Sequence, residues 1–139
     1  HRLGEITGDA SYRAWVDRLA TAIIDMRVPG QSPGYWNNIS QCCGNCGVSE
    51  FFTSLHGLRH SAAHLDFATR VARDTLARAT PDGDGLKWIQ AENRTSPTGL
   101  VAQTGLMQGA AGVGIALLHL DGALRGRSPF IVLPDNPFA

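Results

Sequence analysis

The sequence predicts an all-α fold and, more narrowly, an arc of an α/α toroid. Three observations lead there. Apolar residues recur at spacings of three and four over four segments, and no strand pattern of real length appears. Two of these segments are amphipathic and two are apolar on most sides, and the two kinds alternate along the chain. The apolar segments also repeat. "CCGNCGVSEFFTSLHGL" (42–58) lies on "MQGAAGVGIALLHLDGA" (107–123) at an offset of 65, placing Gly44 on Gly109, Gly47 on Gly112 and Val48 on Val113. Alternating amphipathic outer and apolar inner helices is how an α/α ring is wound, because inner helices are buried on most sides and outer ones on one face. Two repeats do not close a ring. Residues 1–139 therefore read as a single all-α domain shaped as an arc, with apolar inner faces left open.

The elements follow in order. Asp9 is placed to cap a helix running to about Met26, with Tyr12, Trp15, Val16, Leu19 and Ile23 on its inward face. "RVPGQSPG" (27–34) breaks the chain. A second helix starts near Asn45, buries Val48, Phe51, Phe52 and Leu55, and ends around Gly57. A third runs from about Ser61 to Ala79, with Leu65, Ala68, Ala72, Leu76 and Ala79 inward, and "TPDGDG" (80–85) closes it as a turn. From Leu86 to Thr104 the pattern is ambiguous, and "GLKWIQAE" fits either a short strand or an irregular loop. The last helix spans about Gly109 to Leu124, and "LPDNPFA" is an extended tail because Pro134 and Pro137 cannot continue a helix.

Composition narrows the function classes. Twelve Lys and Arg balance twelve Asp and Glu, so nothing in the overall charge favours nucleic acid or an anionic membrane surface. No window approaches the roughly 18 to 20 apolar residues of a membrane span. The chain begins at His1 without a basic-then-apolar leader, which is compatible with a leader having been removed. Three cysteines make a poor disulfide framework and point to a reducing cytoplasm.

Those three thiols fall within five positions, in "SQCCGNCGVSEFF" (40–52) at the start of the second helix. Three chemistries fit. Cys42 and Cys43 can ligate zinc, whose soft thiolate sites leave a fourth position for a substrate thiol, and the helix N-terminus favours thiolate. Cys43-Gly-Asn-Cys46 is a C-x-x-C redox spacing, although such motifs normally follow a strand. Free cysteine also packs as a small apolar residue, and Cys46, inside the first turn, is the best candidate for that.

"QCCGNCG" followed by an apolar helix, "TGLMQGAAGVGIALLHL" and the tail "LPDNPF" together resemble the C-terminal repeats of lanthionine synthetase C-like proteins. That resemblance implies an α/α toroid whose inner helices begin with Gly-x-x-Gly. It also implies zinc-dependent addition of a cysteine thiol to a dehydrated serine or threonine in a precursor peptide. By the resemblance, Cys42 takes the place of the cysteine in the family's Cys-His-Gly zinc motif and Cys43 stands where histidine is usual. Some members carry Cys-Cys-Gly there. The second copy resembles the terminal, non-ligating repeat. The family's other zinc cysteine and its proposed acid–base histidine belong to earlier repeats and have no counterpart in this sequence.

The expected site is therefore Cys42 and Cys43 as zinc ligands, with Asn45, Gln108 and Trp36 lining a peptide-binding mouth. The competing expectation is a catalytically silent scaffold that grips a peptide or partner protein, and an open arc also gives two copies a way to associate. The remaining residues read as structural. His60 and His64 are four apart on the third helix, a spacing that can share a metal, but with no third ligand evident they read as a solvated face; His56 and His119 sit near the far ends of the inner helices, and Trp88 anchors the core. "PDGDG" lacks the length and closing Glu of a calcium loop.

Overall fold

The computed structural model describes residues 1–30, 38–91 and 98–127. Its helices are α1 (Arg2–Thr7), α2 (Ser11–Asp25), α3 (Asn45–Arg59), α4 (Ala62–Ala77) and α5 (Ala110–Leu124). Two small antiparallel ribbons separate α4 from α5. The first pairs β1 (Thr80–Asp82) with β2 (Gly85–Lys87), and the second pairs β3 (Ile89–Ala91) with β4 (Leu100–Ala102). The fold is mostly helical. The ambiguity at 86–104 resolves into strands three residues long, and of the expected turn at 80–85 only Gly83 and Asp84 form it, between β1 and β2, with Gly83 at φ 59°. The tail at 128–139 lies outside the described residues.

Aromatic and small residues build the main core. Phe52 of α3 is fully buried, with the Phe67 ring of α4 4.4 Å away and the Phe51 ring edge-on at 5.1 Å. Around this stack close Leu55, Ala68, Val71, Ala72, Ala20 of α2 and Leu120 of α5. Burying a side chain the size of Phe52 stabilises the fold by about 1.5–3 kcal/mol. A second cluster sits nearer the starts of α3 and α5, where Ile39, Cys46, Trp88, Val113 and Ala116 meet. Trp88 is anchored there as expected, its indole N–H donating to the Thr75 carbonyl at 2.7 Å.

One expected face is rotated. On α2 the core takes Val16, Ala20 and Ile23, whereas Tyr12, Trp15 and Leu19 remain exposed, and the Arg18 guanidinium lies 4.0 Å over the Trp15 ring. Small Ala20 is the one α2 residue buried in the core, and Val16 and Ile23 beside it are partly buried against the same cluster. On α4 the expected face holds for Leu65, Ala68 and Ala72, and for Ala79 just past its end; Phe67, Val71 and Thr75 join it in the interior, and Leu76 alone of the expected residues is left outside. Asp9 acts close to its predicted role, its carboxylate accepting the Ser11 N–H at 2.8 Å, and that bond holds its carboxyl below the usual range. The short helix α1 precedes it, a feature with no clear sequence signal.

The two apolar helices lie side by side and run in the same direction. Near their starts the Cys42 N–H donates to the Met107 carbonyl at 2.8 Å, and further along His119 Nδ1 meets Glu50 Oε1 at 2.7 Å. Amphipathic α2 and α4 alternate with α3 and α5 in the predicted order, but only α5 is apolar on nearly every side, since α3 also carries Ser49, Glu50, Ser54, His56 and Arg59. Although α5 is apolar on nearly every side, Leu118 and Leu124 remain exposed. No helix among the described residues is long and apolar enough to cross a membrane.

Candidate functional site

The repeat read in the sequence is also a repeat of backbone. Gly44 and Gly109, the N-caps of α3 and α5, have φ, ψ of −134°, −161° and −133°, −167°. Each N–H returns to a carbonyl four residues earlier, Ser40 at 3.1 Å and Gly105 at 2.9 Å. The next residue's N–H returns seven positions, Asn45 to Asn38 at 3.0 Å and Ala110 to Gln103 at 2.9 Å. In both copies a loop therefore folds over the helix N-terminus and satisfies donors the helix itself cannot pair.

Glycine is required because that loop lies so close. A Cβ at Gly44 would sit 2.5 Å from the Asn38 carbonyl carbon and the Ser40 nitrogen, and one at Gly109 would sit 2.5 Å from the Gln103 carbonyl carbon. At Gly47 and Gly112 the obstacles are the Gln41 and Leu106 carbonyl oxygens. The Gly-x-x-Gly pattern thus accommodates the chain's own loop.

Cys42 and Cys43 occupy the exposed turn of the first loop. The turn is fixed from beneath: buried Ser40 accepts the Cys43 N–H on its hydroxyl at 3.2 Å, and Asn38 Oδ1 accepts the Ser40 N–H at 2.8 Å. The Cys42 N–H bond to Met107 ties the turn to the second copy. On this base the two sulfurs converge to 3.1 Å. The hydrogen bond they share pushes the Cys42 thiol up, and the charge a second thiolate would place beside it adds to that shift. This offsets the thiolate-favouring helix terminus expected from the sequence. A soft cation, if bound by Cys42 and Cys43, would favour both thiolates.

Cys46 belongs elsewhere. It is buried among Ile39, Trp88, Val113 and Ala116, and burial pushes its thiol from the ordinary 9.0 up to about 12. The C-x-x-C spacing therefore joins a surface thiol to a core thiol, which is the packing role anticipated for Cys46.

The other expected site residues are not all brought to the mouth. Asn45 is fully buried, and its amide donates to Asp74 Oδ2 at 2.7 Å, tying the start of α3 to α4. That placement makes it a structural anchor. Gln108 is half-buried on the second loop, next to the Met107 carbonyl that receives Cys42, so it does adjoin the cysteine turn. Trp36 lies outside the described residues. His60 and His64 are not a pair on one helix: His60 is the left-handed C-cap of α3 at φ 51°, and His64 on α4 lies against the Phe52 ring.

One residue with no motif to announce it joins the two loops. Gln90 of β3 is buried, accepts the Ile39 N–H on Oε1 at 2.9 Å, and donates from Nε2 to the Gln108 carbonyl at 2.7 Å. Its only sequence signal is a polar residue between Ile89 and Ala91 in an ambiguous stretch.

The turn presents two of the ligands a thiolate zinc site needs. Among the described residues no group of three or more His, Cys, Asp or Glu side chains is arranged to hold a metal ion. The donors present fit part of such a site: two soft, solvent-facing sulfurs on a braced turn. Neither a scan of the chain against family models nor a search of curated proteins finds a match.

Proposed function

We propose that this chain is an arc of a lanthionine synthetase C-like toroid, with Cys42 and Cys43 as zinc ligands at the mouth of the arc. The convergence of the two exposed sulfurs to 3.1 Å on a loop braced by Ser40 and Met107 carries this reading. Two parallel inner helices with matching loop-over-helix starts, and an apolar α5 left partly uncovered, support the toroid arc. Zinc bound at such a pair lowers the pKa of a substrate thiol and makes it a nucleophile at neutral pH. In the reaction the peptide's sulfur bonds to the β-carbon of a dehydroamino acid, and the thiol proton ends on the α-carbon. Within this chain Cys42 and Cys43 hold the metal, Ser40 and Gln90 keep their loop in place, and Gln108 faces the peptide. The setting is the cytoplasm, where thiols remain reduced. The remaining ligand and the proton-transfer group come from outside the described residues, supplied by further repeats or by a second copy.

A direct test incubates the chain and zinc with a peptide bearing one cysteine and one dehydroalanine. Addition leaves peptide mass unchanged but removes one alkylatable thiol. The expected result is faster thiol loss with the chain than without it, abolished in Cys42→Ser and Cys43→Ser. Equal rates in all cases would reject the enzyme reading for this chain and its self-assembled copies. A second reading is a silent scaffold of the same fold, in keeping with Asn45 being buried against Asp74 rather than facing a peptide. A scaffold predicts peptide binding without thiol loss, unaltered in the double serine variant.

A further inference from the structure

The cysteine turn holds two thiols that are neighbours both in sequence and in space. Cys42 and Cys43 are exposed, and their sulfurs stand 3.1 Å apart. A disulfide sets that distance at about 2.05 Å, so closing the pair moves each sulfur by roughly half an ångström. The backbone beneath them is already held, the Cys42 N–H by the Met107 carbonyl at 2.8 Å and the Cys43 N–H by the Ser40 hydroxyl at 3.2 Å. Side-chain rotation in solvent supplies the movement. Cys46 does not compete. It is 2% exposed in the cluster of Ile39, Trp88, Val113 and Ala116, and burial pushes its thiol up to about 12.

Adjacency also sets the character of the bond. Consecutive Cα atoms across a trans peptide lie about 3.8 Å apart, below the roughly 4.4–6.8 Å that disulfides usually bridge. A bond between neighbours is therefore strained, and strained, exposed disulfides are the labile ones that a thiol pool reduces again. The oxidant that fits is a small soluble disulfide of the glutathione class, because both sulfurs face solvent. One cysteine thiolate attacks a sulfur of that disulfide, its S–S bond breaks, and the first small thiol leaves with the proton the cysteine gave up. The second cysteine, 3.1 Å away, then attacks the protein sulfur of the mixed disulfide, and the second small thiol leaves. Two protein thiols are oxidised to one disulfide, and one small disulfide is reduced to two thiols. Proximity favours this second step over the return of a small thiol from solution.

We propose that Cys42 and Cys43 form a reversible redox-modification site, closing to a disulfide between neighbouring residues when a small disulfide oxidises them. The consequence for zinc rests on these two cysteines being its ligands: the closed pair has no thiolate to offer, so oxidation turns the metal site off.

Mass spectrometry of the metal-free full chain, incubated under native conditions with oxidised glutathione, tests this. The wild type and Cys46→Ser are expected to lose about 2 Da, with Cys42 and Cys43 both protected from alkylation, and dithiothreitol should restore the starting mass. Cys42→Ser and Cys43→Ser lack the second attacking thiol and should stop at one glutathione adduct. The wild-type result is decisive by itself. Thiols that stay free, glutathione adducts that persist in the wild type, a bond that involves Cys46, or disulfide-linked dimers would each overturn the proposal. Zinc titration of the reduced and oxidised chains separates this proposal from the metal reading. Uptake by the reduced chain alone is expected. Uptake by neither rejects the metal reading and leaves the disulfide standing on its mass, whereas equal uptake by both overturns the switch.

Discussion

The two loop-and-helix copies, 38–59 and 103–124, share a backbone and differ in chemistry. Their N-cap glycines agree within a few degrees, their loops accept the same first three helix-start N–H groups, and their helices are each 15 residues long. At matching positions the first copy carries Cys42, Cys43, Asn45 and Cys46, and the second carries Met107, Gln108, Ala110 and Ala111. The common frame needs small residues where the loop crosses the helix, and the residues between them are free to differ. One copy thus presents two thiols, and the other supplies the carbonyl that braces them.

If the glycines set the frame, Gly44→Ala and Gly109→Ala should cost nearly the same, about 3 kcal/mol each, because each new Cβ meets loop backbone that cannot move aside cheaply. Gly114→Ala, in the middle of α5 with open space around it, should instead stabilise by up to about 1 kcal/mol. Urea unfolding measures all three, and unequal costs at Gly44 and Gly109 would break the equivalence of the copies. Gln90→Leu should cost about 2 kcal/mol, since it leaves the Ile39 N–H and the Gln108 carbonyl without their partner.

The cysteines sharpen the contrast. Cys46 keeps its proton in the fold up to about pH 12, whereas an ordinary thiol loses it near 9.0. Above pH 9 the unfolded chain therefore holds fewer protons than the folded one, so this group makes stability fall as pH rises from about 9 towards 12 and contributes no slope below that window. Unfolding midpoints across that range should show the fall, and Cys46→Ala should flatten it. The smallest effect belongs to the exposed pair: Cys42→Ser and Cys43→Ser should each shift metal-free stability by no more than about 0.5 kcal/mol.

Much of this frame was legible in the sequence. The α3 and α5 boundaries, the burial of Phe52 and Leu55, the anchoring of Trp88 and the packing role of Cys46 all followed from periodicity and the repeat. The inward face of α2 was not, and on α4 Leu76 was misplaced, because apolar residues spread over more of each helix than the core can accept. Helix periodicity alone does not tell Ala20 from Trp15 as the contact residue. Asn45 reads in sequence as a residue at a helix start, and nothing local reveals Asp74 of α4 as its partner. Gln90 and the Glu50–His119 pair rest on contacts between residues far apart in the chain, which no local pattern announces.

The most direct test of the cysteine turn as a metal site is zinc content. Elemental analysis would be made on protein purified without chelator or added metal, for the wild type and for Cys42→Ser, Cys43→Ser and Cys46→Ser. Zinc bound to the wild type and to Cys46→Ser, and lost from both other variants, is the predicted result. A wild-type chain without zinc, or zinc that survives replacement of both Cys42 and Cys43, would contradict it.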